Sequence, residues 1–222
     1  MRRAVIGLCA LALLAACGGG ETATTTSAPS TDIATTSATD GAVATTSAAD
    51  TTPGPTEVFG TALPKFEQLE DDPAVGRTPP AVVGTDLLTG EVVRITNQGR
   101  PIVIAFYAHW CPHCQNEVAE LTEWLETNEL PAGVDFYAVS VLEDPARGNH
   151  PPTQWLADEG WQYPVVADTP AWSVVDAFGL QSVPYLVAVN AENEVVLRFA
   201  GNIPGGPPEL AALFAFLLDG GT

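Results

Sequence analysis

The chain has 222 residues, of which 46% are hydrophobic; 27 are acidic and 8 are basic, so the formal net charge is −19 at pH 7. This length allows one medium-sized domain plus additional segments, but hardly two complete hydrophobic cores. The acidic balance excludes a nucleic-acid-binding protein, because no Lys/Arg cluster could neutralise phosphates, and an anionic bilayer would repel the domain.

The first 17 residues predict an export signal. Arg2 and Arg3 precede an apolar stretch that is too short to span a membrane comfortably, and small residues lead to Cys17. Leu14–Cys17 resembles the bacterial lipoprotein box, which implies that residues 1–16 are a signal peptide and that Cys17 carries lipid. The lipid would anchor the protein to the outer face of the cell membrane. An ordinary signal peptide and an uncleaved anchor are the alternatives.

Residues 17–60 are predicted to form a disordered tether behind the lipidated cysteine. From Gly18 to Pro55 almost every residue is Thr, Ala, Ser, Gly or Asp, and so few large apolar groups cannot offset the entropy of ordering. A folded domain is predicted to follow over residues 64–218.

Apolar patterns predict eleven elements in this domain, in the order β, β, β, α, β, α, β, α, β, β, α. Thr89 and Gly90 turn a hairpin within TDLLTGEVVRI, the run Pro101–Tyr107 is a central buried strand, and Pro112 opens a helix that continues to about Thr127. The other predicted elements are strand Val134–Leu142, helix Thr153–Glu159, strand Pro164–Ala167, helix Ala171–Phe178, the hairpin strands Tyr185–Val189 and Val195–Phe199, and helix Pro208–Leu218. This order predicts an α/β fold with a central mixed β-sheet flanked by helices and an N-terminal β-hairpin extension.

Cys111 and Cys114 remain as a pair, because Cys9 would leave with the signal and Cys17 would carry lipid. Each then has only the other as an intramolecular partner. A disulfide that closes so short a loop constrains the unfolded chain little, so a purely structural bridge explains the pair poorly. A helix start stabilises a thiolate, which predicts Cys111 as the attacking cysteine and Cys114, one turn further on, as the buried resolving cysteine.

Three pieces of the sequence together resemble the thioredoxin fold: the strand Ile102–Tyr107, the WCPHC motif at residues 110–114, and the Val-Pro pair within Ser182–Tyr185. With the leading hairpin, the inserted segment around residues 143–163 and the lipoprotein start, the domain resembles the TlpA-like (ResA/DsbE-type) thiol-disulfide oxidoreductases. The resemblance implies an extracytoplasmic enzyme that exchanges disulfides with exported proteins. It also implies a thiol-transferring membrane partner, and no cofactor apart from the redox-active cysteine pair.

The resemblance further implies roles for residues around the pair. Pro184 is expected to be cis and to lie against the cysteines, where the backbone of Val183 can bind an extended substrate, and Trp110 is expected to flank the site. Glu117 stands where ResA-like reductases carry a glutamate that could relay protons, although it is equally one of several glutamates on an acidic helix. His113 would favour a thiolate when protonated, or is simply a solvent-facing residue.

Two features leave the direction of electron transfer open. Cytoplasmic-type thioredoxins carry a buried aspartate where this chain has Ala105, so proton handling depends on Glu117, water or His113. A Pro-His pair between the cysteines resembles DsbA-type oxidants, whereas the overall architecture resembles reductants.

The alternative function is a copper-binding or metal-delivery lipoprotein of thioredoxin fold. Cys111 and Cys114 would then bind Cu(I) together with His109, His113 or His150. Copper carriers of this fold generally use a longer Cys-x-x-x-Cys spacing, and a structural zinc site would need a second Cys/His pair. We therefore expect no metal site. A peroxidase of the broader redoxin group and an inactive lipoprotein are further alternatives.

Overall fold

The structure is a computed structural model and describes residues 55–221. The predicted signal peptide at 1–16, the lipidated Cys17 and most of the predicted tether lie outside the described residues. The elements, in chain order, are β1 (Glu57–Phe59), β2 (Ala81–Thr85), β3 (Val92–Ile95), β4 (Ile102–Tyr107), α1 (Pro112–Leu125), β5 (Asp135–Ser140), α2 (Pro152–Asp158), β6 (Val165–Ala167), α3 (Ser173–Phe178), β7 (Tyr185–Val189), β8 (Val195–Ala200) and α4 (Pro207–Leu218). Between residues 55 and 221, none of the helices is long and apolar enough to cross a bilayer.

The central sheet has the strand order β6-β5-β4-β7-β8. β4, β5 and β6 run parallel, while β7 is antiparallel to both β4 and β8. This is the mixed sheet flanked by helices that the sequence predicts. Because of these directions, β4 and β8 end at the same edge of the sheet at which β7 begins.

Strand β4 is buried over its whole length, and its side chains alternate between two cores. Ile104 and Phe106 belong to the core that contains α3 and the N-terminal strands. Val103 and Tyr107 belong to the opposite core, which contains the buried face of α1. The last side chain of β4 is therefore directed toward the first turns of α1.

The N-terminal extension is a three-stranded antiparallel sheet, β1-β2-β3, instead of a hairpin. β1 lies within the segment that we predicted to be tether, and its residues Glu57–Phe59 pair with Ala81–Val83. The folded chain therefore begins before residue 64. A strand of three residues is too short to produce a recognisable pattern, because two apolar residues do not define a period.

The hairpin is also displaced relative to the prediction. Leu87 and Leu88, which precede the predicted turn at Thr89 and Gly90, lie in the turn themselves. Asp86 organises that turn, because its carboxylate accepts hydrogen bonds from the Leu88 N–H at 2.7 Å and from the Val165 N–H at 3.2 Å. The second bond comes from a distant part of the chain, so local sequence does not reveal it.

A segment before β2 is held against the central sheet by Arg198. The fully buried guanidinium of Arg198 pairs with the carboxylate of Asp72 and donates to the carbonyls of Pro64 and Phe178 at 2.8 and 3.1 Å. Gly179 has a φ of +67°, and a Cβ atom there would lie 2.2 Å from the Pro64 carbonyl oxygen. Glycine is therefore required where this segment crosses the end of α3.

Candidate active site

The two cysteines lie where β4 passes into α1. Cys111 is the N-cap residue of α1, and its N–H donates to the Ala108 carbonyl at 2.9 Å. Pro112 occupies the first helical position, where a missing N–H costs no intrahelical hydrogen bond. Both cysteines are free thiols; Cys111 is 7% exposed and Cys114 is fully buried. Both cysteines are therefore buried, but Cys111 keeps a small exposed fraction and Cys114 has none.

The two thiols have different partners. The Cys111 thiol donates to the Val183 carbonyl at 3.6 Å, and the Cys114 sulfur accepts from the Ala108 N–H at 3.4 Å. Burial raises the pKa of Cys114 far above its ordinary value, and the nearby charges of Cys111 and Glu117 raise it further despite the Ala108 hydrogen bond. The Cys114 thiol therefore holds its proton more strongly than an ordinary cysteine.

The Val183–Pro184 peptide bond is cis, as predicted. Tyr185, the first residue of β7, pairs with Phe106 near the end of β4. This antiparallel register brings the residues before β7 to the edge of the sheet where α1 begins, and it explains why the Val183 carbonyl reaches Cys111.

Glu117 is a buried residue and not one more surface glutamate of the helix. It is 9% exposed, and its Oε1 accepts from the Tyr107 hydroxyl at 3.1 Å. Its Oε2 accepts from the Ile203 N–H at 3.1 Å and from the Asn202 side-chain amide at 3.2 Å. Burial raises the pKa of Glu117 although these three donors lower it, and burial together with the Glu117 charge raises the pKa of Tyr107. Glu117 is thus a carboxylate that can take up a proton one helical turn from Cys114.

Asn202 was missed by the sequence analysis. It lies in the loop after β8, and its side chain bonds both His113 and Glu117. A single asparagine in a Gly-Asn-Ile-Pro loop has no distinctive pattern. Only the predicted strand order could have indicated Asn202, because it brings the residues after β8 to the same edge of the sheet as the residues after β4.

Trp110 flanks the site and is held by the loop that follows β5. Its indole N–H donates to the Leu142 carbonyl at 2.7 Å, and the Arg147 guanidinium carbon lies 4.0 Å from the centre of its ring system. The fully buried His109 bonds the same loop through both ring nitrogens, to the Gly148 carbonyl at 2.7 Å and the Asp144 N–H at 3.2 Å. Because Nε2 accepts a hydrogen bond there and Nδ1 faces a carbonyl oxygen, the ring proton of His109 lies on Nδ1.

The other two histidines also bond groups away from the thiols. His113 bonds Asn202 at 3.0 Å and His150 bonds Glu143 at 2.8 Å. Within residues 55–221, no group of three or more His, Cys, Asp or Glu side chains is arranged to hold a metal ion.

Replacing Glu117 with glutamine is expected to remove a pH-dependent part of the stability. The raised pKa means that the folded state binds a proton at Glu117 more readily than the unfolded state, whose pKa is about 4.3. The wild type should therefore lose stability as pH rises from about 4 through the raised pKa, by about 1.4 kcal/mol for each pH unit that separates the unfolded from the folded pKa. Urea unfolding across this range measures the effect. Glu123→Gln, on the exposed side of α1, should follow the wild-type curve, and a parallel Glu117→Gln curve would contradict the expectation.

Comparison with known proteins agrees with this chemistry. A family model described as the AhpC/TSA family matches residues 75–198. The thiol-disulfide oxidoreductase ResA of Halalkalibacterium halodurans is 26% identical over 118 residues, which are 52% of this chain and 63% of that protein. The thiol:disulfide interchange protein DsbE of Haemophilus influenzae is 26% identical over 131 residues, 58% of this chain and 67% of that protein. The chain thus spans less than two thirds of the length of the first relative and about two thirds of the second.

A solved structure shows the same fold. The thiol:disulfide interchange protein of the thioredoxin family from Chlorobium tepidum superposes with a TM-score of 0.52 at 21% identity, covering 64% of this chain and 97% of that one. The predicted thioredoxin-like fold is therefore confirmed for the described domain.

Proposed function

The chain belongs to the AhpC/TSA family, and on that premise we propose that it is a thiol-disulfide oxidoreductase that exchanges disulfides with exported proteins outside the cell membrane. One observation carries this proposal most directly. Two free thiols lie at the start of a helix: Cys111 keeps a small exposed fraction against a backbone carbonyl, and Cys114 is fully buried one helical turn before a buried carboxylate. This asymmetry is what a two-step exchange requires, because one sulfur must meet a partner protein and the other must not.

In the reducing direction, the Cys111 thiolate attacks one sulfur of a substrate disulfide. A mixed disulfide forms, and the other substrate sulfur leaves as a thiolate that takes up a proton. Cys114 then gives its proton to Glu117 and attacks the Cys111 sulfur, which forms the internal disulfide and releases the second substrate thiol. Two electrons pass from the dithiol to the substrate, and oxidation of a substrate is the same sequence reversed. Val183 offers its backbone to an extended substrate beside this reaction, and Trp110 forms the wall of the site.

The exchange activity is tested by insulin disulfide reduction with purified full-length protein, assayed beside its copper and zinc content and its turnover of hydrogen peroxide. Thiol exchange by metal-free protein supports the proposal. Tight metal binding without exchange, while Cys111 is intact, would overturn it in favour of metal delivery. Peroxide turnover without disulfide exchange would make the protein a peroxidase.

The direction of transfer is tested in living cells. Alkylation of Cys111 and Cys114, read as a mass shift, measures the fraction of the pair that is reduced at steady state. A mainly reduced pair identifies a reductant supplied by a membrane thiol donor, and a mainly oxidised pair identifies an oxidant.

Replacing Cys17 with serine is expected to release the protein from the membrane fraction. The lipid supplies the anchor, since the strongly acidic chain has no electrostatic attraction to an anionic surface. Cell fractionation followed by immunoblotting measures the change. Cys9→Ser, within the predicted signal, is the matched control and should remain at the membrane. Retention of a Cys17→Ser protein whose mass shows that residues 1–16 have been removed would contradict lipid anchoring at this residue.

A further inference from the structure

Asn202 makes three side-chain hydrogen bonds at the start of α1. Its Nδ2 donates to the His113 carbonyl at 2.9 Å and to Glu117 Oε2 at 3.2 Å, and its Oδ1 lies 3.0 Å from His113 Nδ1. Asn202 is 85 positions from Glu117 and 89 positions from His113 in the chain. The asparagine therefore links the residue between the two cysteines to the buried carboxylate behind them.

The orientation of this amide follows from its neighbours. A flipped Asn202 side chain would direct its oxygen at a carbonyl oxygen and a carboxylate, which are both acceptors. With Nδ2 facing these acceptors, Oδ1 must accept from His113, so His113 carries a proton on Nδ1. The neutral form of His113 is thereby confined to one tautomer.

We propose that Asn202 is a positioning residue that joins His113 and Glu117 into one hydrogen-bonded unit and sets the pH at which Glu117 accepts the proton of Cys114. The inference rests on the proposed exchange function, because only that function uses Glu117 as a proton acceptor. Asn202 itself stays neutral and does not touch the reacting sulfurs. It acts by donating a hydrogen bond that favours the ionised carboxylate.

Charged and titratable groups face Glu117 from two of the elements around it. Tyr107 comes from β4, and Cys114 and Glu120 come from α1. The loop after β8 contributes the neutral donors of Asn202 and the Ile203 N–H. The start of α4 adds glycine, proline and leucine to a cavity of about 20 Å³ beside the carboxylate. Two side chains donate hydrogen bonds to Glu117. Tyr107 is buried in the core, whereas Asn202 is exposed, so Asn202 can be substituted without changing the core.

Asn202→Leu removes the amide at similar volume. Losing one hydrogen bond to a charged group should move the pH midpoint of disulfide exchange upward by about one unit. Asn202→Asp keeps the oxygen that faces His113 but replaces the donor to Glu117 with a negative charge, so its midpoint should rise further. Asn116→Leu, an exposed position on α1, should keep the wild-type midpoint.

The experiment measures insulin reduction from about pH 5 to 9 for these full-length variants, together with their thermal unfolding midpoints. The proposal is supported if Asn202→Leu shifts the pH midpoint of exchange in the wild-type background but not in the Glu117→Gln background. A loss of rate without a shifted midpoint means that Asn202 is merely structural and overturns it, as does an unchanged profile.

A second readout does not depend on turnover. Nitrogen-15 NMR of labelled histidine should show neutral His113 protonated on Nδ1 in the wild type and as a mixture of tautomers in Asn202→Leu. If the ratio of the two His113 tautomers is the same in the wild type and in Asn202→Leu, the proposal is overturned. Wild-type protein without exchange at any pH would instead refute the proposed function, so the two failures are distinguishable.

Discussion

Replacing Cys114 with serine is expected to leave Cys111 covalently joined to its substrate proteins. The Cys111 thiol, which keeps a small exposed fraction, can still attack a substrate disulfide, but the mixed disulfide is no longer resolved, because the fully buried Cys114 supplies the second sulfur. Multiple turnover should fall to background while adducts accumulate. Non-reducing electrophoresis of cells treated with alkylating agent, followed by mass spectrometry of the adducts, measures this and identifies the substrates.

Cys111→Ser is the matched control for this trap. It leaves Cys114 intact but fully buried, so it should form no adducts and show no exchange. The reverse pattern, with adducts through Cys114 and none through Cys111, would contradict the assigned order of attack. Unchanged thermal unfolding of both variants excludes misfolding as the cause.

Replacing Arg198 with methionine is expected to cost about 3–5 kcal/mol of folding free energy. The change leaves the Asp72 carboxylate buried without its partner and removes the donor to the Pro64 and Phe178 carbonyls. For a domain of this size the loss corresponds to a fall in Tm of roughly 6–20 °C. Calorimetry of the full chain measures it.

The double variant Arg198→Met with Asp72→Leu is the control, because replacing both charges with apolar groups removes the unpaired carboxylate. It should recover a large part of the lost stability, and equal instability of single and double variants would contradict the assignment.

The dependence of stability on acidic pH is a further check on the Arg198–Asp72 pair. Burial would raise the pKa of Asp72, but hydrogen bonds from Arg198 and the Ala74 N–H together with the Arg198 charge lower it overall. The stability from this pair is therefore present above the unfolded pKa of about 3.9 and is lost as pH falls through the lower folded pKa.

Much of the fold could be predicted because its central elements have strong local patterns. Strand β4 is a continuous apolar run, and α1 begins at a proline and presents apolar residues at helical spacing. The structure places both as predicted, with β7 beginning at Tyr185. The sequence analysis did not predict β1 or the correct position of β2, the first strand of the hairpin, because tertiary contacts determine both. The Asp86 carboxylate bonds Val165, and no local pattern encodes that contact.

The candidate site shows the same division. Cys111, Cys114 and Val183–Pro184 belong to recognisable motifs, and the structure brings them together. The rotation of α1 about its axis decides whether Glu117 faces Tyr107 in the core or faces solvent. The sequence left this open, because Glu117 is one of several glutamates on the helix. Asn202 comes from far along the chain, so only the strand order could have indicated it.

The hydrogen bond from the Cys111 thiol to the Val183 carbonyl links substrate docking to the chemical state of the nucleophile. A thiolate and a disulfide both lack the S–H group, so both leave this carbonyl free. If an extended substrate binds there as we propose, its backbone N–H shares the Val183 carbonyl with the Cys111 S–H. We therefore expect substrate docking and deprotonation of Cys111 to favour each other.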